Sequence, residues 1–504
     1  MNSTNEPLVT RFFILPIFSG IFLALTLPWF ELSFFVWVAL IPLFIFISKP
    51  DTSPTRAFQG GLITGVVYFS TVVYPLFSLK AWWWLDVQDI VYENKILLLF
   101  WILYAGVLVG GILFGIFARI FKKIHQEGFV SVFILSVVWV FFEYVRAKIL
   151  FGFTWGHLGY SLHDSLPLMQ AARFGGIYMV SFFVVLVNIL LYYTIHRPHK
   201  DIEGVEGHAK AMLYIRSIGK HWYPYGVMFI MAVLIFGGNF LLNISKSESL
   251  KHLPIAIIQP GRSENREGRE EETFQMIEQS LARGPMIIVV PESSFPSIVI
   301  DEDTMQTALP SSPMGMMRPQ ASNFYIKLKD ISKAYQATSF VVGVKTQRGV
   351  LHYNSMIAVE GGEVTSIYHK RILFPFSERS ISWFPFKNPE PLTAGEKNSG
   401  LIVQGEPVSA LICSESLFSN LVKDADARFI IAVGNDGVFQ SARVALYNHI
   451  IAKFMAVETG KYVVRAMETG VSSIITPTGT LALISDGENK GIFFGEVALD
   501  EEEF

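Results

Sequence analysis

The sequence is short of charge and of cysteine. Charged residues make up 16% of its 504 residues and the net charge is −3, whereas soluble proteins average about 25% charged residues. No basic domain or arginine-rich stripe occurs, so a nucleic-acid-binding function is excluded. Cys413 is the one cysteine, which rules out an intramolecular disulfide. Neither a GxSxG serine-hydrolase motif nor an HExxH zinc motif is found.

Long apolar runs dominate the first half of the chain. Hydrophobic residues make up 51% of the sequence and the mean hydropathy is +0.41. A membrane-spanning helix needs about 20 mostly apolar residues. The candidate spans are 12–30, 33–48, 57–79, 96–120, 129–147, 174–196 and 224–244. Residues 1–250 are therefore predicted to form a polytopic α-helical transmembrane bundle of about seven spans.

Small residues in these spans predict close helix packing. Glycines four positions apart let transmembrane helices approach each other. The pairs with this spacing are Gly61 and Gly65, Gly106 and Gly110, and Gly111 and Gly115.

Basic residues in the loops predict the orientation of the bundle. Cytoplasmic loops of membrane proteins are enriched in lysine and arginine. With the N-terminus and Arg11 in the cytoplasm, the inside loops hold more basic residues than the outside loops. An odd number of spans then places everything after about residue 245 outside. We predict a multi-pass membrane protein whose second domain lies outside, which in a Gram-negative cell is the periplasm.

The residue pattern changes near position 250. Short runs rich in β-branched residues, such as 286–291, 408–413 and 429–433, alternate with helical stretches near 266–283 and 442–459. Strands that alternate with helices indicate an α/β domain. We predict this second domain over 251–504, with several later strands close together as in a layered sandwich.

Glu292 directly follows an apolar run that reads as a buried strand. Burial raises the pKa of a carboxyl group, which suits it to general-base catalysis. The alternative is that Glu292 caps the turn that follows. Lys370 begins a second apolar segment, where a cation can hold a developing oxyanion. Its alternative is the usual solvated surface lysine.

Cys413 ends a third apolar run, at the start of a turn or helix. A helix N-terminus and a nearby cation both lower the pKa of a thiol, and the thiolate is the nucleophile. A lone cysteine is otherwise a small buried apolar residue. The order Glu292, Lys370, Cys413 is more specific than any one of the three residues.

These segments resemble the nitrilase (carbon–nitrogen hydrolase) superfamily, and the whole chain resembles the apolipoprotein N-acyltransferase family within it. The resemblance in the second half is carried by Pro291-Glu292-Ser293, Lys370-Arg371, Pro375-Phe376, Glu378, Cys413, Glu415 and Asn435-Asp436. In the membrane half it is carried by Glu143, Arg146, Gly152-Phe153, Trp155 and Gly159-Tyr160-Ser161. A soluble nitrilase is not expected to carry the second group.

The resemblance implies a nitrilase-like αββα sandwich joined to the helix bundle. It implies that Cys413 attacks the acyl ester of a membrane phospholipid, with Glu292 as general base. Lys370 and the backbone N–H of Ser414 would hold the oxyanion. The α-amino group of a diacylglyceryl apolipoprotein would then take the acyl chain from the Cys413 thioester. This ping-pong scheme needs no metal and no diffusible cofactor.

The resemblance also implies supporting residues. Glu378 and Glu415 are expected to orient Lys370 or the nucleophile. In the membrane half, Glu143 and Arg146 are three positions apart, on one face of a helix, and ionisable residues at membrane depth suggest function. The alternative is an interfacial pair. Trp155 belongs to the same candidate group.

The sequence departs from the family pattern at several positions. Val438 stands where an aromatic residue is usual, Lys453 where an arginine is usual, and Glu468 where an asparagine is common. The family usually has a further transmembrane helix after the catalytic domain, whereas this sequence reaches Phe504 without such a helix. This predicts either tethering from one side or a shortened chain.

Other functions are compatible with the same residues. One is a membrane-tethered nitrilase-type amidase, or a paralogue that acylates a different amine. Another is a catalytically inactive scaffold that binds lipid or lipoprotein. We expect a monomer.

Overall fold

The computed structural model describes most of the chain. The described residues are 13–77, 92–125, 128–201, 213–214, 217–244, 250–261, 266–292, 294–295, 299–307, 319–375, 378–380, 391–396, 400–423, 426–439 and 441–500. They form two compact units, one within residues 13–243 and the other within 244–500.

The first unit is helical. Its helices are α1 (Ile14–Leu25), α2 (Ile41–Ser48), α3 (Pro54–Val73), α4 (Tyr92–Ile124), α5 (Phe129–Ile149), α6 (Leu166–Met169), α7 (Ala172–Asp201) and α8 (Tyr223–Ile244). Within the described residues, five stretches are long and apolar enough to cross a membrane: Pro54–Leu76, Tyr104–Ile124, Phe129–Ile149, Ala172–His196 and Tyr223–Ile244. Helices also lie at the other two predicted spans, but they are shorter. The total of seven spans stays a prediction.

The second predicted span is shortened because its backbone leaves the α-helical path. A 3-10 turn over Ser33–Trp37 precedes α2. Asn188 on α7 compensates for this break. Its side chain accepts from Leu40 N over 3.0 Å and donates to Val36 O over 2.7 Å. Backbone groups released at membrane depth must find such partners, because lipid offers none.

Glycines bring α3 and α4 close together. A Cβ atom on Gly61 would lie 2.4 Å from the Phe114 carbonyl oxygen, and one on Gly65 would lie 2.7 Å from the Gly111 Cα. The structure therefore agrees with the close packing predicted at these positions. None of the described residues has an atom within 4 Å of such a Cβ on Gly106, so close packing at this position stays a prediction.

The second unit contains two β-sheets. Its strands are β1 (Leu250–Gln259), β2 (Ile287–Val290), β3 (Val299–Asp301), β4 (Gln306–Thr307), β5 (Ser339–Arg348), β6 (Leu351–Glu360), β7 (Glu363–His369), β8 (Leu401–Val403), β9 (Glu406–Ile412), β10 (Phe429–Gly434), β11 (Tyr462–Met467), β12 (Ser473–Ile475), β13 (Leu481–Ile484) and β14 (Gly491–Asp500). As far as the described residues show, the first sheet has the order β14-β1-β2-β5-β3-β4, with β6 and β7 added beside β5. The second sheet has the order β13-β12-β11-β10-β9-β8.

Alternating side chains separate the layers of this unit. Successive residues of a strand face opposite sides, and Ile255 and Ile257 of β1 enter the core between the two sheets. Ala256 and Ile258 instead pack toward α9 (Arg266–Leu281) and α10 (Pro319–Ala334). Helix α11 (Ala442–Thr459) packs on the outer face of the second sheet. The result is the predicted αββα sandwich.

Parallel pairing gathers the ends of several strands at one edge of each sheet. Strand β2 runs parallel to β1 and β5, and β10 runs parallel to β9 and β11. Carboxyl ends of parallel strands lie together. Glu292 follows β2, Cys413 follows β9 and Glu468 follows β11. We call this region the catalytic edge.

Candidate active site

Cys413 has an unusual backbone conformation. Its φ of 54° lies in the left-handed region, which is costly for a residue with a Cβ and is concentrated at functional sites. It begins a 3-10 turn over Cys413–Leu417, directly after β9. The residue as a whole is half-buried. The chain therefore turns sharply at the predicted nucleophile.

Glu415 connects this turn to the lysine segment. Its Oε2 accepts from Ile412 N and from the Tyr368 hydroxyl, each over 2.9 Å. Its Oε1 accepts from Arg371 N over 2.7 Å and from Ile372 N over 3.0 Å. The carboxylate is fully buried, so these four donors replace water. Glu415 holds the backbones on either side of the site in fixed positions.

Lys370 is buried and ion-paired. Its side chain is 1% exposed, and Nζ lies 2.7 Å from Glu378 Oε2 and 2.9 Å from Glu378 Oε1. Burial alone would lower the pKa of Lys370, but Cys413, Glu378 and Glu292 together raise it above its ordinary value. The solvated-lysine alternative is therefore wrong. Lys370 is a permanent cation inside the site.

Glu292 lies where the chain leaves β2, against Gly343 of β5. A Cβ on Gly343 would lie 2.8 Å from the Glu292 Cα, so only glycine permits this approach. Asn354 donates to Glu292 Oε1 over 2.8 Å. Burial raises the pKa of Glu292 above its ordinary value, while Lys370 opposes the rise. This agrees with the expected direction for a general base.

The pKa of the Cys413 thiol is shifted upward, opposite to the expected direction. Burial raises it most and Glu292 raises it further, while Lys370 lowers it. The cation acts as predicted, but the predicted net lowering is wrong because desolvation of the thiolate is the larger effect. The resting thiol is therefore neutral and needs a base. Among the described residues, no donor lies within hydrogen-bond distance of the buried Glu292 Oε2, and the Cys413 thiol is close enough to lower the Glu292 pKa.

Asn354 was missed by sequence reasoning. It lies in the interior of β6, and its Nδ2 donates to Glu292 Oε1 over 2.8 Å and to Glu378 Oε1 over 3.1 Å. One amide thus joins the carboxylates on both sides of Lys370. No sequence motif marks this residue. Its position across the sheet from Lys370, whose N–H donates to Asn354 O, depends on strand pairing.

Other residues of the motifs have simpler surroundings. The Ser414 hydroxyl is buried, without a hydrogen-bond partner among the described residues. Ser293 and Phe376 lie outside the described residues. Across the described part of the chain, no three His, Cys, Asp or Glu residues are grouped to hold a metal ion.

The membrane-half candidates are buried within the first unit. Glu143 is 6% exposed, Arg146 3% and Trp155 2%. Glu143 Oε1 accepts from Trp139 Nε1 over 3.1 Å and from Leu158 N over 2.9 Å. The Arg146 guanidinium lies 4.7 Å from the centre of the Phe69 ring. These residues are buried inside the helical unit; their functional role and the interfacial alternative both stay predictions.

The sequence is similar to proteins of known family along most of its length. Residues 19–190 match the family model of the apolipoprotein N-acyltransferase N-terminal domain, and residues 254–503 match that of the carbon–nitrogen hydrolases. An apolipoprotein N-acyltransferase of Geobacter metallireducens is 26% identical, over 98% of this chain and 90% of that protein. Another from Gloeobacter violaceus is 24% identical, over 92% and 84%.

One solved structure is similar to about half of the chain. The carbon–nitrogen hydrolase from Helicobacter pylori G27 has a TM-score of 0.38 at 14% identity, and covers 49% of this chain and 88% of that one. The two family models confirm the resemblance drawn from the motifs of both halves. The chain belongs to the apolipoprotein N-acyltransferase family, with a carbon–nitrogen hydrolase domain as its second half.

Proposed function

We propose that this protein transfers an acyl chain from a membrane phospholipid, through a thioester on Cys413, to the α-amino group of the N-terminal diacylglyceryl-cysteine of apolipoproteins. The observation that carries the proposal is the meeting of Glu292, Lys370 and Cys413 at the catalytic edge, in a chain whose described residues include five helices apolar enough to cross a membrane. The names of its relatives support the acceptor class.

In the first half-reaction, Cys413 Sγ attacks the carbonyl carbon of the phospholipid ester. Glu292 takes the thiol proton as the S–C bond forms, because the buried thiol is neutral at rest. The charge on the carbonyl oxygen is stabilised by the Lys370 ammonium, with the Ser414 N–H as a second donor. When the C–O bond breaks, Glu292 returns the proton to the leaving alkoxide. The products are a lysophospholipid and a thioester.

In the second half-reaction, the acceptor amine attacks the thioester carbon. Glu292, again a carboxylate, takes the amine proton and returns it to the sulfur when the C–S bond breaks. The products are an N-acylated lipoprotein and the free Cys413 thiol. Because Lys370 is paired with Glu378 in a buried setting, the oxyanion donor stays in place through both steps.

The proposal extends to the organisation of the protein. Residues 1–250 would form a multi-pass helix bundle in the bacterial inner membrane, and residues 251–504 a periplasmic catalytic domain. The protein would act as a monomer. Two lipid substrates held in the same bilayer would then reach one site by diffusion in two dimensions.

The test is an intact-mass measurement on protein purified in detergent. The wild type and Cys413→Ala are incubated with a phospholipid carrying a mass-labelled acyl chain, and a diacylglyceryl-cysteine peptide is then added. We expect one acyl mass on the wild type, none on the variant, and transfer of the label to the peptide amine.

Other outcomes favour the alternatives. If the label forms but is discharged only by water or by another amine, the protein is an amidase or a paralogue with a different acceptor. If no phospholipid labels the wild type, the acyl-transfer proposal is wrong and the lipid-binding scaffold becomes the better hypothesis. Cys413→Ser is a matched control, because it keeps a nucleophilic atom but replaces the sulfur needed for a thioester.

A further inference from the structure

A further buried carboxylate, Glu468, lies at the catalytic edge. It directly follows β11, its side chain is 3% exposed, and it forms an ion pair with Arg269 of α9. Asn435, which follows β10, donates to Glu468 Oε2 over 2.5 Å. One partner thus comes from a helix that covers the first sheet and the other from the second sheet. The mechanism above does not use this group.

Glu468 fixes the backbone beside the nucleophile. Its N–H donates to Gly434 O over 2.9 Å, and a Cβ on Gly434 would lie 3.4 Å from the Cys413 Cα. Asn435, held by the Glu468 side chain, accepts from Gly437 N over 3.0 Å. The turn after β10 is therefore attached to Glu468 through both its main chain and its side chain.

Glu468 also interacts with the general base. Burial raises the pKa of Glu468 to about 7, Arg269 opposes the rise, and the Glu292 carboxylate adds to it. The charged groups that act on Glu468 are therefore Arg269 from α9 and Glu292 from the end of β2, while Asn435 acts as a neutral donor. Coulomb interactions are reciprocal, so an ionised Glu468 favours the protonated form of Glu292.

We propose that Glu468 is a positioning residue of the catalytic site: its charge, held in place by Arg269, strengthens Glu292 as a base, and its bond to Asn435 fixes the turn beside Cys413. The inference rests on the proposed function for the roles of Glu292 and Cys413. A purely structural ion pair would brace the same turn without changing how the base titrates. The pH dependence of the Cys413 reaction separates the two roles.

The experiment measures the alkylation rate of Cys413 by iodoacetamide between pH 5 and 9 in the full-length protein. Wild type is compared with Glu468→Gln. We expect the two profiles to coincide below about pH 6, where Glu468 is mostly protonated, and to separate as the pH rises through 7 and the wild-type carboxylate gains its charge. The plateau at high pH should fall about threefold, because the base is weaker. Glu458→Gln is the matched control: Glu458 is also a largely buried glutamate, 14% exposed and paired with Lys423 on the same unit, and its profile should coincide with wild type.

A second variant covers the case in which Glu468→Gln does not fold. Arg269→Gln keeps the bond to Asn435 but removes the cation that favours the ionised carboxylate, so the charge of Glu468 and its effect on the rate should appear only at higher pH. If Glu468→Gln lowers the rate by the same factor at every pH from 5 to 9, the charge role is refuted. Iodoacetamide reads the thiol without any lipid. A failure of phospholipid to acylate the wild type would therefore refute the proposed function separately.

Discussion

Removal of the Asn354 amide tests whether one hydrogen-bond donor sets the ionisation of the general base. The amide donates to Glu292 and to Glu378, and it lowers the pKa of Glu292 against the effect of burial. In Asn354→Ala this donor is lost inside a site that water does not readily fill. The pKa of Glu292 should rise, and the acid limb of the acylation profile should move to higher pH.

The size of this shift follows from the energy of a hydrogen bond to a charged group. Such a bond contributes about 1.5–3 kcal/mol, and one pKa unit corresponds to about 1.4 kcal/mol. The acid limb should therefore move up by about one to two pH units. At a pH on this limb, the rate of acyl-enzyme formation would fall about tenfold to a hundredfold.

Single-turnover acylation, followed by intact mass from pH 5 to 9, measures this effect. Asn489→Ala is the matched control, because Asn489 also donates to a carboxylate, Asp486, but at an exposed site. Its profile should equal that of the wild type. An Asn354→Ala profile with an unmoved acid limb and full activity at high pH would show that Asn354 does not act on Glu292.

Three further predictions concern single positions. Gly343→Ala should displace the Glu292 backbone, because its Cβ would approach the Glu292 Cα to 2.8 Å; acyl-enzyme formation should slow at least about tenfold while the α/β circular dichroism signal is retained. Glu415→Gln should leave one backbone N–H unsatisfied and lower the unfolding free energy of the second unit by about 1–3 kcal/mol, measured by urea denaturation in detergent. Glu468 has a folded-state pKa of about 7, above its ordinary 4.5, so it favours the folded state at low pH. That contribution is lost as pH rises from about 4.5 to 7, a difference in unfolding free energy of about 3 kcal/mol for 2.5 pKa units. In thermal melts between pH 5 and 8, the melting temperature of Glu468→Gln should therefore decline less with rising pH than that of the wild type.

The parts of the fold that could be predicted depend on local pattern. A single sequence shows apolar runs long enough to span a membrane, and it shows short β-branched runs between helices. The shortening of the second span was not predictable, because it depends on Asn188 of a distant helix binding the backbone at Val36 and Leu40. Gly106 shows the same limit: its spacing predicts contact, but no described residue lies within 4 Å of a Cβ placed there.

Two of the catalytic candidates were predictable because each follows an apolar strand: Glu292 after β2 and Cys413 after β9. Parallel pairing gathers such strand ends. Lys370 instead begins an apolar segment and follows β7, which pairs antiparallel with β6. Asn354 has no such mark, since it lies inside a strand and reaches the site by register with β7. The predicted direction of the shift in the thiol pKa was wrong for a related reason. The cation could be inferred from sequence, but the burial that outweighs it is a property of the folded site.

The pairing of β1 with β14 has a consequence for biosynthesis. Leu250 lies opposite Asp500, and the two strands stay in register as far as Gln259 and Gly491. The first sheet therefore cannot close until nearly all of the second half has left the ribosome. Until then β1 exposes an unpaired strand edge, which is prone to wrong pairing. We expect the second unit to require protection until β14 has been made, and a chain that ends before β14 to be degraded rather than to persist as a partly active enzyme.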